Sequence, residues 1–246
     1  MMEEPYRWLE AIGHRREYVR EQLKGGSPVL AASLPDGVLL VGVGTGQSKV
    51  FELFDRQALA GLGHPADLER VRQAAIDTAH VEAFTRAPED VSLRRLVAFG
   101  LSPQLKSSFE QIFGAPVLGE FLLVEVGAEP ARDLMVRLHF DGTFEIERGR
   151  GMVAASVAEA EKAAQRWLQS VLGSDTDRGR TAELMLQAWG VLEAQQHFDE
   201  QIPSEDDRRE NWRKRVEDRQ LELGWLARQG KRRARFEKLS REQLGL

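Results

Sequence analysis

The order of elements along this chain of 246 residues predicts an α/β (α+β) fold in four layers. Two antiparallel β-sheets stack face to face in an α-β-β-α sandwich, with helices on both outer sides. Three observations lead there. First, the apolar runs Val29–Leu34 and Val38–Val43 meet at the turn Pro35-Asp36-Gly37 and read as a β-hairpin. Second, helical periodicity takes over from Pro65 to about Arg86, and again from Val91 to Phe113. Third, the alternation repeats: strand runs resume at Gly119, and two helices follow at about Val157–Leu172 and Thr181–Phe198. Strands then helices, twice over, give each sheet one face for its partner sheet and one for its helices.

Taken in order, residues 5–24 predict a helix outside the sandwich. Pro5 suits its first turn and Gly25-Gly26 stops it. Trp8, Ile12, Val19 and Leu23 form a thin apolar stripe, expected to pack against a neighbouring molecule and not into a core. Lys49–Phe54 and Gln57–Leu62 read as a second strand pair, with Lys49 opening the first of them. Ser102-Pro103 interrupts the second helical stretch. Asp141-Gly142 turns the strand Leu134–Phe140 into Thr143–Glu147, and Gly151–Ala155 follows. The charged stretch Gln201–Asp218 is either a solvated loop or a charged helix. Leu221–Leu226 and Arg235–Leu239 read as a closing hairpin about Gln229-Gly230-Lys231, with Ser240 capping a last helical turn. One helix over 205–243 fits the composition equally well. The domain division expected is an N-terminal segment, 1–26, and a sandwich domain, 27–246, with the charged insert at about 200–218.

Composition narrows the function classes. Apolar residues make up 42% and charged residues 30%, a balance that builds a sizeable core. A net charge of −5 offers no bulk attraction to nucleic acid or acidic membranes. No apolar run is long enough to span a bilayer. The start Met-Met-Glu-Glu-Pro-Tyr-Arg-Trp lacks the basic-then-apolar pattern of a secretory signal, so a cytoplasmic location is expected. With no cysteine, disulfides and thiolate chemistry are excluded. The run Gly42–Lys49 hints at a phosphate loop, but its lysine enters a strand where a Walker loop needs a helix. His14, His64, His80, His139 and His197 lack metal-ligand spacing, so neither metal nor cofactor is expected. The basic run Lys231, Arg232, Arg233 and Arg235 has acidic neighbours on both sides and reads as a solvated loop.

Two stretches carry a family resemblance. One is Glu17-Tyr18-Val19-Arg20-Glu21-Gln22-Leu23-Lys24-Gly25-Gly26-Ser27, a charged helix end running into an apolar strand. The other is Ser48-Lys49-Val50-Phe51-Glu52-Leu53-Phe54-Asp55. In order and spacing they resemble the proteasome α-type subunit of the bacterial, actinobacterial kind, and the similarity continues through the Asp141-Gly142 hairpin. The resemblance implies a non-catalytic subunit of a homo-oligomeric ring, a heptamer, that stacks on catalytic β-type subunits and gates the entry of unfolded proteins. It further implies an ATPase or other ring activator docking by its C-terminal tails. Lys49 and Gly63 would form that docking pocket, with Glu17 and Arg20 contributing polar groups. Pro5, Tyr6, Arg7 and Trp8 would form the gate. The Tyr-Asp-Arg of archaeal and eukaryotic relatives is replaced here by Tyr6-Arg7 alone.

The β-type relatives of such a subunit are N-terminal nucleophile hydrolases, in which a freed threonine supplies both hydroxyl and amine. The resemblance sets Ser27 at that position and Val43 at the position of the catalytic aspartate. Pro28 follows Ser27, and a helix, not a cleavable propeptide, precedes it. No catalytic residue is therefore expected. The alternatives are a divergent self-compartmentalising hydrolase using Ser27 after processing, and a stand-alone scaffold ring.

Overall fold

The computed structural model describes residues 4–111, 113–148, 150–173, 177–194, 202–229 and 235–246, with backbone alone at 4–6. Helix α1 (Glu4–Leu23) leads into strands β1 (Val29–Leu34) and β2 (Gly37–Gly44). Strands β3 (Val50–Phe54) and β4 (Gln57–Gly63) follow, then α2 (Pro65–Thr85). A short helix α3 (Leu93–Arg95), a π-helical turn (Leu96–Leu101) and α4 (Ser102–Glu110) run on as one helical segment. Next come β5 (Gly119–Glu125), β6 (Leu134–Leu138), β7 (Phe144–Glu147) and β8 (Gly151–Ala154). Helices α5 (Ala158–Val171), α6 (Arg178–Glu193) and α7 (Glu205–Val216) precede the closing strands β9 (Gln220–Ala227) and β10 (Phe236–Leu239) and the last turn α8 (Arg241–Leu244).

These strands form two antiparallel five-stranded sheets, ordered β10-β9-β2-β1-β8 and β3-β4-β5-β6-β7. Three apolar layers alternate with the sheets. Leu30, Ala32, Leu39 and Val41 of the first sheet meet Met185, Trp189 and Leu168 of α5 and α6. Val29, Ala31, Val38 and Leu40, on the opposite face, meet Ala58, Ala60, Leu122 and Val124 between the sheets. Leu59, Phe121 and Leu123 carry the far face of the second sheet onto Leu68, Ala75 and Leu101 of the α2–α4 layer. Both faces of the central strands are buried, which explains why Val38–Val43 is apolar at every position and does not alternate.

Several expectations change in detail. The break near Ser102-Pro103 is the π turn itself: Ser102 N–H reaches Val97 O, five residues back, and Pro103 has no N–H to continue the regular ladder. The charged insert is helical from Glu205. Ser204 Oγ accepts from Asp207 N–H at 3.2 Å, acidic residues fill the first turn, and Arg213, Lys214 and Arg215 fill the last. Trp212 fastens this helix to α6 at Gly190, where a Cβ would lie 3.0 Å from the Trp212 Cβ. The closing segment is the strand pair, not one long helix, and Ser240 with Gln243 forms a capping box on α8. The expected end of α6 beyond residue 194 and the turn 230–234, with Lys231, Arg232 and Arg233, lie outside the described residues.

The thin stripe of α1 is the clearest correction. Val19 and Leu23 are buried in the inter-sheet layer of their own chain, with Ile12 packed at its edge. Arg15 reaches Ser108 O at 3.1 Å and Gly114 O at 2.8 Å, and Arg16 pairs with Asp141 at 3.3 Å. The C-terminal half of α1 is therefore bound to the sandwich. Trp8 (45% exposed) and Leu9 (60%) lie on its other half.

Candidate functional site

At the junction of α1 and β1 the chain passes close to β4. A Cβ on Gly26 would sit 2.8 Å from Leu62 Cδ1 and 2.9 Å from Leu23 O, so only glycine lets the helix turn into the strand there. The next residue, Ser27, is buried. Trp189 Nε1–H of α6 donates to Ser27 Oγ at 2.9 Å, and Lys49 Nζ donates to Ser27 O at 3.1 Å. Lys49 itself lies one residue before β3. Its backbone N–H donates to Glu222 Oε1 at 2.7 Å, and Lys238 Nζ takes the other oxygen of that carboxylate at 3.1 Å. Burial lowers the Lys49 ammonium to about 8, although Glu193 and Glu222 pull it upward; Arg219 pushes it down further. Arg219 in turn pairs with Glu193 and lies over the Trp189 ring.

This arrangement lacks the parts of a nucleophile. The lysine addresses the Ser27 carbonyl and not its hydroxyl, and the Ser27 nitrogen is an amide following Gly26. Val43 is an aliphatic side chain, fully buried between the first sheet and its helices, and offers no base. Beside the junction opens a cavity of about 490 Å³, bordered by Lys24, Gly26, Pro28, Val157, Leu192 and Glu193. Lys49 is not on its wall.

The other sequence-derived residues are scattered. Glu17 and Arg20 are exposed on α1. Arg20 borders a separate cavity of about 190 Å³, over a buried charge cluster. In that cluster Arg137 pairs with Glu120 at 2.7 Å and with Glu161 at 2.8 Å, while His139 Nδ1 lies 2.8 Å from the same Glu120 oxygen. Burial alone lowers the His139 pKa, but the hydrogen bond and charge of Glu120 outweigh it and the net shift is upward. Gly63 ends β4 with φ +135°, and a Cβ there would lie 2.2 Å from Leu118 O, so its glycine is required by packing. Gly61, not Gly63, touches the lysine's backbone: its N–H donates to Lys49 O at 2.9 Å. Of the four gate residues, Pro5 and Tyr6 are described by backbone alone, and all four lie within α1.

Trp189, Glu193, Arg219 and Glu222 belong to the Ser27–Lys49 site and were not singled out for it from the sequence. A signal existed for one: Glu222 stands inside the apolar run Leu221–Leu226, where a carboxylate needs a partner. Among the described residues no group of three His, Asp or Glu side chains could hold a metal ion, and no helix is long and apolar enough to cross a membrane.

Known proteins resemble the chain over much of its length. No protein-family model matches it. A proteasome subunit alpha of Actinosynnema mirum is 35% identical over 153 residues, covering 61% of this chain and 57% of that relative. One of Pseudarthrobacter chlorophenolicus is 29% identical over 164 residues, 65% of this chain and 67% of its own. One of a Nocardioides species is 30% identical over 175 residues, 69% of this chain and 68% of its own. The chain thus spans somewhat more than half to two thirds of the length of these relatives. Together with the two-sheet sandwich, these similarities show that the chain belongs to the proteasome alpha-subunit family.

Proposed function

We propose that this chain is a non-catalytic ring subunit of a bacterial 20S proteasome-like complex, which gates substrate entry and docks an activator. The observation that carries the non-catalytic part is the burial of Ser27 and the Trp189 hydrogen bond on its hydroxyl. A hydrolase using Ser27 would need the preceding 26 residues removed, yet the second half of that segment packs into the core through Val19 and Leu23. The ring is a homo-oligomer, a heptamer, stacked on catalytic β-type subunits that degrade unfolded proteins in the cytoplasm. Its gate is the N-terminal segment with Pro5, Tyr6, Arg7 and Trp8. The half-exposed Trp8, on the half of α1 away from the clamps to the sandwich, supports that role. Lys49 is the anchor for an activator's C-terminal carboxylate, in a pocket between adjacent subunits to which Gly63, Glu17 and Arg20, apart from it within one chain, contribute. The cavity beside Gly26 and the partly buried ammonium support a site near this junction.

The experiment is N-terminal mass analysis of the purified protein combined with fluorogenic peptide assays, alone and with a β-type partner. An intact N-terminus, no turnover alone, and turnover with the partner that is unchanged by Ser27→Ala are expected. Turnover by the protein alone that Ser27→Ala abolishes would overturn the proposal.

A further inference from the structure

At the end of β1 away from Ser27 lies a cavity of about 380 Å³, within the size range of ligand pockets. Ser33 and Pro35 line it from the β1–β2 hairpin, Pro130 and Ala131 from the turn before β6, and Arg148 and Arg150 from the segment before β8. Its walls are held from behind. The buried Arg228 donates to Leu34 O at 2.7 Å, to Pro35 O at 2.9 Å and to Gly127 O at 3.0 Å, and pairs with the buried Asp133 at 2.6 Å. One network therefore ties the hairpin to the segment that carries Pro130 and Ala131. On the remaining side, Ser33 N–H donates to Arg150 O at 2.9 Å. The cavity is formed in advance of any ligand, which lowers the cost of binding.

The polar groups of the wall select the occupant. Asp133 Oδ2 accepts from Arg228 at 2.9 Å and takes the hydroxyl proton of Ser33 at 2.5 Å. Ser33 Oγ can then only accept from the cavity, so it suits a hydroxyl donor. Arg150 Nη1 donates to Leu172 O at 2.8 Å, which orients its guanidinium. Among the described residues neither Arg148 nor Arg150 has a carboxylate partner. The acids of the wall segments are taken: Asp36 pairs with Arg178, Glu129 with Arg132 at 3.2 Å, and Asp133 with Arg228. Two uncompensated guanidiniums two residues apart favour a dianion over a monoanion. Among the described residues no aromatic ring lines the cavity, so a nucleobase finds no stacking face, whereas Pro35, Pro130 and Ala131 offer apolar surface. We propose that this cavity binds a phosphorylated sugar. The phosphate dianion bridges Arg148 and Arg150, a sugar hydroxyl donates to Ser33 Oγ, and the C–H face of the ring lies on the prolines.

The test needs neither a ring nor an activator, so its failure leaves the ring-subunit reading untouched. Isothermal titration calorimetry on the full chain compares glucose 6-phosphate, glucose 6-sulfate, inorganic phosphate, AMP and a phosphoserine peptide. The buffer is held at about pH 7.5, above the second phosphate pKa of about 6. Glucose 6-phosphate is expected to bind best, and the sulfate ester, a monoanion of the same shape, about tenfold more weakly. Arg148 is exposed, so Arg148→Gln keeps the fold, as circular dichroism can check, and should also lose about tenfold. Ser33→Ala should weaken the sugar phosphate more than inorganic phosphate, a split that a general loss of structure would not produce. Equal affinity for glucose 6-phosphate and inorganic phosphate, tighter binding of AMP or of the phosphoserine peptide, unaltered affinity in Arg148→Gln, or no binding at all would each overturn the proposal.

Discussion

The indole N–H of Trp189 ends on the hydroxyl of Ser27, 2.9 Å away, so the Ser27 side chain serves as a core acceptor. Ser27→Ala should therefore act as a stability mutation. It leaves a buried indole donor unpaired, at about 1–3 kcal/mol. Urea denaturation should show that loss, while peptide hydrolysis by a reconstituted complex stays at the wild-type rate. Trp189→Phe removes the donor as well as the indole bulk, and should likewise leave hydrolysis unchanged.

Lys49 gives a pH signature. Its folded pKa is lowered to about 8 from an unfolded value near 10.5, chiefly by burial. Between those values the unfolded chain holds more protons, so stability rises with pH. The penalty is complete below pH 8 and is relieved as pH climbs toward 10.5. Lys49→Met should then stabilise the protein at pH 7, by on the order of 2 kcal/mol after the loss of the hydrogen bond to Ser27 O. The gain should fade at pH 10. Urea midpoints of both proteins at the two pH values check it. Activator-stimulated proteolysis should fall in the same variant if Lys49 anchors a tail carboxylate.

His139 shifts in the opposite sense. Its folded pKa is raised, with the Glu120 contact overcoming burial and the repulsion of Arg137. Its stabilisation is complete below the unfolded value of about 6.5 and is lost as pH rises through the folded value. Thermal melts between pH 6 and 8.5 should show wild type losing stability relative to His139→Gln. Parallel pH profiles would show that Glu120 and His139 are uncoupled.

Gly63 separates packing from docking. Gly63→Ala meets Leu118 O at 2.2 Å in a backbone region hostile to side chains, so about 1–3 kcal/mol of stability should disappear. A variant with unaltered stability and weakened activator binding would assign it to the pocket instead.

The fold was legible because the chain changes period in step with its layers. Val38–Val43 is apolar throughout and helical spacing begins at Pro65, so strands and helices could be placed before any contact was known. The family was legible from the order of short motifs around Glu17–Ser27 and Ser48–Asp55. The site was not. Lys49 and Glu222 meet only because β9 lies beside β2, a pairing of residues 173 positions apart that no local pattern encodes. Nor was it legible that packing requires a glycine at Gly63, since its positive φ and the approach of Leu118 are tertiary facts. The stripe on α1 misled for the same reason: spacing shows that Val19 and Leu23 share a face, not which surface that face meets.

That stripe yields the most discriminating prediction. If α1 served only to join subunits, Val19→Asp and Trp8→Asp would both break rings and spare the monomer. The structure divides them. Val19 is fully buried between the sheets, and an aspartate there has no partner, so the chain itself should be destabilised by several kcal/mol. Trp8 is half exposed, and an aspartate there meets water, so the monomer should keep its melting temperature to within the small shifts of surface changes. The proposed ring role of the N-terminal half of α1 then predicts that Trp8→Asp alone lowers the ring fraction at unchanged monomer stability. Circular dichroism melts and light scattering on the two variants check both halves. A Val19→Asp protein that melts like wild type would show that α1 does not belong to the core. Intact rings in Trp8→Asp would remove Trp8 from the subunit contact.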